Sequence, residues 1–321
     1  MVDSCNNNGG SFMHKEGLLK RYAGNPIIKP TDFPGNIDAA FNCGQTVFED
    51  KILLLVAVRH SEGFATLNIA TSADGINFDV QAEPFITPLE DEVWGPLDTW
   101  CIDPRITKIE DTYYIVRPLQ SPLGPAAVLE STKDWKKREF IECIALPCNR
   151  VPCLFPEKID GMYYRLDRPF APGATDSKGE IWLSSSPDLI YWGRHRRVLC
   201  DEFANTWARE KIGPTPPIRT EAGWLVIVHG VTTSCAGPRY SLGAALLDIN
   251  DPAKVIGSIK NWIITPDAPY ELNGVVPNVV FSCGAVPDYE NDLLRVYYGA
   301  ADTSICLATG KISEIVNECL K

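Results

Sequence analysis

Short apolar runs, each ended by a polar turn, recur along the chain with a period near 60 residues. The clearest phrase is an apolar strand closed by hydroxyl-bearing residues and an aspartate. It appears as Leu67-Asn-Ile-Ala-Thr-Ser-Ala-Asp74, Ala127-Val-Leu-Glu-Ser-Thr-Lys-Asp134 and Ile181-Trp-Leu-Ser-Ser-Ser-Pro-Asp188, with a weaker copy at Ala244-Ala-Leu-Leu-Asp248. These aspartates lie 60, 54 and 60 residues apart, and Ile305-Cys-Leu-Ala-Thr-Gly310 sits where a fifth copy is due. Ahead of each copy come a first strand with a polar turn and then a more apolar second strand: Ile52 to Val58, Tyr113 to Val116, Tyr163 to Leu166, Trp224 to Val228 and Leu294 to Tyr298. Runs of β-branched and aromatic residues bounded by Asp, Gly and Glu-Asp turns predict antiparallel hairpins. Helical periodicity is almost absent.

Five copies of a unit with three or four strands predict an all-β fold, a five-bladed β-propeller, in which radial repetition leaves short, protected edges. An irregular β-sandwich is the competing architecture, but a sandwich has no reason to repeat its turn phrase. The stretch from Lys20 to Pro30 is expected to supply the strand that closes the ring. The whole chain, 1–321, reads as one catalytic propeller, with 1–18 a flexible N-terminal extension.

In an antiparallel hairpin the start of the first strand and the end of the second share an edge, and in a propeller that edge is one rim of the central channel. The first-strand starts are Asn42, Asp103, Arg150, Lys211 and Asn278; the positions just past the second strands are Arg59, Arg117, Arg168, His229 and Asp302. All ten are polar, in a repeat whose other phases are largely apolar. Each alone reads as a solvated loop-end residue; the set reads as a site. The rim holds two acids against six groups that can carry positive charge. Ordinary glycoside hydrolysis uses two carboxylates flanking the bond, and here the second role has no evident carboxylate. A cluster of Arg150, Arg168, Lys211 and His229 suits a phosphate dianion, which guanidinium forks and a lysine ammonium bind well. Phosphate can then be the nucleophile.

Composition narrows the partners. The 321 residues are 45% hydrophobic and 22% charged, with a net charge of −11, which argues against nucleic acid or an anionic membrane surface. No apolar run reaches the length needed to span a bilayer. The first 17 residues are polar and lack the apolar core of a secretory signal. Eleven cysteines, an odd number without a C-x-x-C pair, read as free thiols. A cytoplasmic address follows. No metal-ligand spacing or cofactor motif is present, so no metal or cofactor is expected, and His14, His60 and His195 read as surface or packing residues.

The chain also resembles glycoside hydrolase family 130, the β-mannoside phosphorylases and related mannosidases. The resemblance rests on Gly24-Asn-Pro-Ile, Asp103-Pro-Arg-Ile-Thr, Leu154-Phe-Pro-Glu-Lys-Ile, Arg165-Leu-Asp-Arg168-Pro, Ser186-Pro-Asp-Leu-Ile, Lys211-Ile-Gly, His229-Gly and Val276-Pro-Asn-Val-Val-Phe. It implies inverting cleavage of a β-mannoside by inorganic phosphate, a co-substrate, to give α-mannose 1-phosphate. It implies Asp103 as the acid, acting through the mannose 3-hydroxyl, and Arg150, Arg168, Lys211 and His229 as phosphate ligands. It places mannose contacts on Asn42, Arg59, Arg105 and Asp302, and an acceptor-site role on Tyr240. Ile102 departs from the family pattern, in which Tyr or Glu often precedes the acid, and this puts the acceptor contacts in question.

Two further readings stay open. One is a mannosidase using water, with Glu210 or Glu157 as base; the other is a non-catalytic propeller that binds glycans at the same rim. Trp94, Trp100 and Trp207 fit either sugar platforms or packing. Linkage and acceptor are not readable from the sequence, and a homo-oligomer is compatible with it.

Overall fold

The computed structural model describes residues 17–90, 92–170, 179–200 and 207–321. Its strands form five separate antiparallel sheets in chain order. Blade 1 is Ile37–Phe48, Lys51–His60, Ala65–Ser72 and Asp79–Val80; blade 2 is Arg105–Ile109, Thr112–Leu119, Ala126–Thr132 and Glu139–Ala145; blade 3 is Cys153–Leu154, Tyr163–Asp167, Ile181–Ser186 and Gly193–Leu199. In blade 4, Lys211–Pro214 and Ile218–Arg219 share the edge of Trp224–Ser234, followed by Gly237–Leu247 and Val255–Ser258. In blade 5, Val280–Phe281 and Val286–Asp288 line Leu293–Ala300, followed by Ser304–Lys311. Prolines 216 and 217 interrupt the first strand of blade 4, where a ladder donor would be missing.

The repeated aspartate is a turn device. Its Oδ1 accepts from two successive backbone amides: Ile76 and Asn77 for Asp74, Lys136 and Lys137 for Asp134, Ile190 and Tyr191 for Asp188, and Asn250 and Asp251 for Asp248. In the first three blades a hydroxyl two residues earlier (Ser72, Thr132, Ser186) also accepts from the amide three residues on. These side chains satisfy the amides of the turn to the outer strand. Blade 5 has no such aspartate, because Ser304–Lys311 runs directly into the helix Ile312–Cys319. That helix, which the sequence pattern did not reveal, buries Ile312, Ile315, Val316 and Cys319 against blades 4 and 5. Two turns are too few for a periodic signal to stand out.

Ring closure falls to the N-terminal segment, as expected. Lys20–Arg21 is the outer strand of blade 5, with Lys20 opposite Thr309 and Arg21 opposite Ala308. The Arg21 guanidinium donates to both carboxylate oxygens of buried Glu271, at 2.7 and 2.9 Å, and to the Thr265 carbonyl at 2.6 Å. Tyr298 also donates its hydroxyl to Glu271. Most of the proposed extension, 1–16, lies outside the described residues; Leu18 and Leu19 already pack against the core.

Each junction between neighbouring blades has its own apolar cluster. Leu53, Leu55 and Ala57 meet Ile106 and Ile115 between blades 1 and 2, while Leu54, Val56 and Val58 meet Tyr297, Ile305 and Leu307 between blades 1 and 5. Alternate residues of one strand thus serve opposite faces of the blade. Burial at these faces is the main force holding the blades in a ring. Polar side chains are left for the ends of the inner strands, where the channel opens.

Candidate functional site

A cavity of about 190 Å3 at the centre of the ring is lined by Asn42, Asp103, Arg150, Arg168, Lys211, His229, Tyr240 and Asp302, with Phe281 and three valines. Every blade or its leading loop contributes. Seven of the ten rim residues expected from the hairpin phase line this cavity, and the other three, Arg59, Arg117 and Asn278, do not.

Backbone conformation explains how several of these side chains reach it. Asn42 (φ 45°), Asp103 (φ 51°) and Asp302 (φ 47°) are all left-handed, a region that Asn and Asp enter more readily than other side-chain-bearing residues. Asn42 is not at a strand start, as the hairpin phase suggested. It lies at a register shift within Ile37–Phe48, so the bulge re-aims it. His229 is also within a strand, directly opposite Gly213. A Cβ on Gly213 would lie 2.2 Å from His229 Cε1, and one on Gly299 would lie 2.2 Å from Asn42 Oδ1. Both glycines leave room for a site residue.

Asn42 serves both acids. Its Nδ2 donates to Asp103 Oδ1 at 2.9 Å, and it favours the ionised form of Asp302. Arg150 holds the other Asp103 oxygen, with Nε and Nη2 donating to Oδ2 at 3.1 and 3.0 Å. Burial, and then the charge of Asp103, push the Asp302 carboxyl up to about 7, although Arg150 and Asn42 oppose the shift.

The same cavity holds a cluster of cations for which no acid partner is found among the described residues. Arg168 is buried, and its Nε and Nη1 find no hydrogen-bond partner among the described residues; the same holds for His229 Nδ1 and Arg105 Nη2. Burial and then the neighbouring Arg150 and Arg105 lower the Arg168 pKa to about 10. Lys211 is brought down to about 8 by burial and then by Arg168 and Arg150. Burial, followed by Arg168, holds His229 well below the ordinary imidazole value, so its ring is neutral near pH 7. Phe281 packs against this ring at 4.6 Å between centroids. Unsatisfied buried donors are costly, and crowded cations repel; one anion placed among them relieves both.

Other expected residues have different places. Arg105 is buried behind the cavity, where Nη1 donates to the Asp103 carbonyl at 2.9 Å and Nε to the Pro214 carbonyl at 3.1 Å. Arg59 approaches Asp38 at 3.6 Å and lies over the Trp100 ring at 5.5 Å. Arg117 lies inside Thr112–Leu119, because the strand runs three residues further than expected, and its side chain turns into an ion network with Asp98 and Glu130. Ile102 packs in the core between blades 1 and 2, not in the cavity. Trp207 fills the space beside Gly230 and Gly243, which is a packing role. His60 stacks on Phe64, and His14 lies outside the described residues. The candidate bases for hydrolysis are not in the cavity lining: Glu157 pairs with Arg219, and Glu210 accepts from Thr233. Phe281 and Val279 were not singled out from the sequence, where they look like ordinary strand residues.

The described residues contain no cluster of His, Cys, Asp and Glu suited to a metal. No helix among them is long and apolar enough to cross a membrane.

Residues 19–321 match the model of glycoside hydrolase family 130, described as beta-1,4-mannooligosaccharide phosphorylase. A β-1,2-mannobiose phosphorylase of Listeria innocua is 40% identical over 277 residues, covering 84% of this chain and 75% of the relative. A β-1,4-mannooligosaccharide phosphorylase of Ruminococcus albus is 33% identical over 306 residues, covering 94% and 90%. Among solved structures, the Listeria innocua β-1,2-mannobiose phosphorylase in complex with β-1,2-mannobiose superposes with a TM-score of 0.84 at 32% identity, covering 94% of this chain and 99% of the other.

Proposed function

The chain belongs to glycoside hydrolase family 130, and from that premise we propose that it is an inverting β-mannoside phosphorylase. The observation that carries this reading is the set Arg168, Lys211 and His229, cationic or donor groups that share one cavity with the carboxyl of Asp103 and have no acid partner among the described residues. Such a set suits phosphate: the Arg168 fork and neutral His229 offer hydrogen bonds, and Lys211 offers charge. Arg150 sits between the two halves. It is shared between Asp103 and the incoming phosphate, which favours an approach from the cation side.

In the proposed reaction a phosphate oxygen attacks C1 of the mannosyl unit as the C1–O bond to the acceptor breaks, inverting the centre. The departing oxygen takes a proton that originates on Asp103 and passes through the mannose 3-hydroxyl. The products are α-mannose 1-phosphate and the acceptor sugar with a restored hydroxyl. Asn42 and Arg150 orient Asp103, and Asp302 and Asn42 grip the mannose, with Arg59, whose Nε has no hydrogen-bond partner among the described residues, reaching it from outside the cavity lining. Arg105 supports the acid from behind through its carbonyl, and Tyr240, beside Lys211 at 5.4 Å, borders the acceptor side.

Hydrolysis by water is less well supported, since neither Glu157 nor Glu210 faces the cavity. No disulfide joins any two of the described cysteines, which supports a reducing compartment and a cytoplasmic address. The deciding experiment is synthesis from α-mannose 1-phosphate across a panel of mannose, glucose and N-acetylglucosamine acceptors, read by phosphate release, with cleavage of β-1,2- and β-1,4-mannobiose measured with and without phosphate. Phosphate-dependent release of mannose 1-phosphate is expected, and the panel identifies linkage and acceptor. Equal cleavage rates with and without phosphate would remove the proposal.

A further inference from the structure

We propose that Arg117 is a positioning residue for Asp103, acting through Asp98 as the anchor of the segment that delivers the acid to the cavity; the inference rests on the reading of Asp103 given above. Arg117 and Asp98 are both fully buried, and the pair is bidentate: Nη1 donates to Oδ1 at 2.6 Å and Nη2 to Oδ2 at 2.8 Å. The same guanidinium donates through Nε to Glu130 Oε2 at 3.1 Å, and Arg138 pairs with Glu130 from the exposed side. Two acids and two arginines therefore balance, which lets the network stay buried without net charge.

Asp98 ties down more than Arg117. Its Oδ2 also accepts from the Leu89 amide at 2.8 Å, Arg138 donates to the Thr87 carbonyl at 3.2 Å, and the Gln120 amide donates to the Leu97 carbonyl at 2.9 Å. Thr87, Leu89, Leu97 and Asp98 are thus fastened to blade 2. Past Asp98 the chain crosses to blade 1, where the Cys101 amide donates to the Ala65 carbonyl at 3.2 Å, and Ile102 packs between the blades. It then arrives at Asp103 in a left-handed conformation. That conformation persists where the surroundings over-determine it, and the segment has fixed points on both sides within five residues of the acid.

A buried ion network is a poor way to gain stability, because apolar side chains of similar volume commonly serve as well or better. It is a good way to fix one geometry, since each fork admits one arrangement of its partners. A small displacement of a proton donor is enough to slow a reaction heavily. Arg117 touches neither the cavity nor the reacting atoms, so its effect on Asp103 passes through the chain.

The test compares the parent with Arg117→Lys, Asp98→Asn and Arg138→Gln. In folded Arg117→Lys and Asp98→Asn, kcat for phosphorolysis should fall roughly 10- to 100-fold, while KM for phosphate stays within about twofold because the cation cluster lies on blades 3 and 4. Backbone amides from 97 to 103 should exchange with deuterium faster than in the parent, with exchange in blades 3 and 4 unchanged. Unchanged kcat and exchange in a folded variant would overturn the inference, as would a kcat loss matched by an equal loss of phosphate affinity. If the two buried variants do not fold, Arg138→Gln loosens the network from its exposed end; a smaller kcat loss, about two- to fivefold, is expected there, and none would overturn it. Should the parent show no phosphate-dependent turnover, the proposed function fails, while the exchange arm still decides whether Arg117 holds the segment.

Discussion

Arg150 grips Asp103 through two nitrogens, Nε and Nη2, while Nε and Nη1 of neighbouring Arg168 have no hydrogen-bond partner among the described residues. The cavity is therefore divided: one arginine is committed to the acid, and the next is left for something else. Removing each should have a different result. Asp103→Asn should lower kcat by roughly 10^2- to 10^4-fold, the range for a general acid, and leave phosphate binding nearly intact. Arg168→Gln should chiefly raise KM for phosphate. Steady-state kinetics over a grid of phosphate and mannoside concentrations separates the two.

Phosphate should stabilise the protein as well as serve it. A ligand bound to the folded state alone adds about 2.7 kcal/mol at a concentration 100 times its Kd, and here it also relieves repulsion among Arg150, Arg168 and Lys211. Melting temperature should rise with added phosphate in the parent and rise much less in Arg168→Gln or Lys211→Ala. Calorimetry or dye-based melting in phosphate against chloride at equal ionic strength checks this.

The pH response follows from two groups of opposite sign. Lys211, lowered to about 8, loses its charge as pH rises past that value, so KM for phosphate should climb above pH 8, and Lys211→Arg should postpone the rise. Asp302, raised to about 7, keeps its proton in the folded protein after the unfolded chain, with an ordinary aspartate, has released it near pH 4. Between those values the folded state binds more protons, so stability falls as pH rises from about 4 to about 7. Asp302→Asn should flatten that fall and leave the protein more stable at pH 8, by roughly 1–3 kcal/mol. Urea denaturation at several pH values measures the difference.

Gly213→Ala offers a test of geometry without altering any polar group. The added methyl would need the space of the His229 ring. The variant should fold, because the ladder between the two strands is unchanged, but KM for phosphate should rise several-fold or more as the imidazole is displaced. Normal kinetics in Gly213→Ala would mean that His229 is not a ligand.

The fold was legible in the sequence because each blade repeats a chemical device. An aspartate that accepts two amides is required at the same turn in four blades, so Asp74, Asp134, Asp188 and Asp248 kept both the residue type and the spacing. The site was legible to the extent that it shares that phase: residues such as Asp103, Arg168 and Asp302 stand at ends of inner strands. Arg117 looked equivalent to Arg168, but its strand continues to Leu119 and turns the side chain into the blade. Nothing local in Arg117-Pro-Leu reveals this; the partner that claims it, Asp98, lies in a long loop. Asn42 was found for a reason only half right, since a bulge, not a strand end, aims it. Phe281 carries no polar atom and so gave no signal, although the ring it supports is that of His229.

Because the outer strand of the last blade is Lys20–Arg21, the earliest part of the ring to leave the ribosome is the last to find its place. Through synthesis of the intervening blades that strand has no partner, and Ser304–Lys311, once made, presents a bare edge until Lys20–Arg21 pairs with it. The circle is thus completed after translation of almost the entire chain, and a nascent protein halted near blade 4 would carry one orphan strand and an uncovered apolar face. A circular permutant that joins the present ends and opens the long loop between Asp79–Val80 and blade 2 would make both partners of the closing pair as neighbours in sequence.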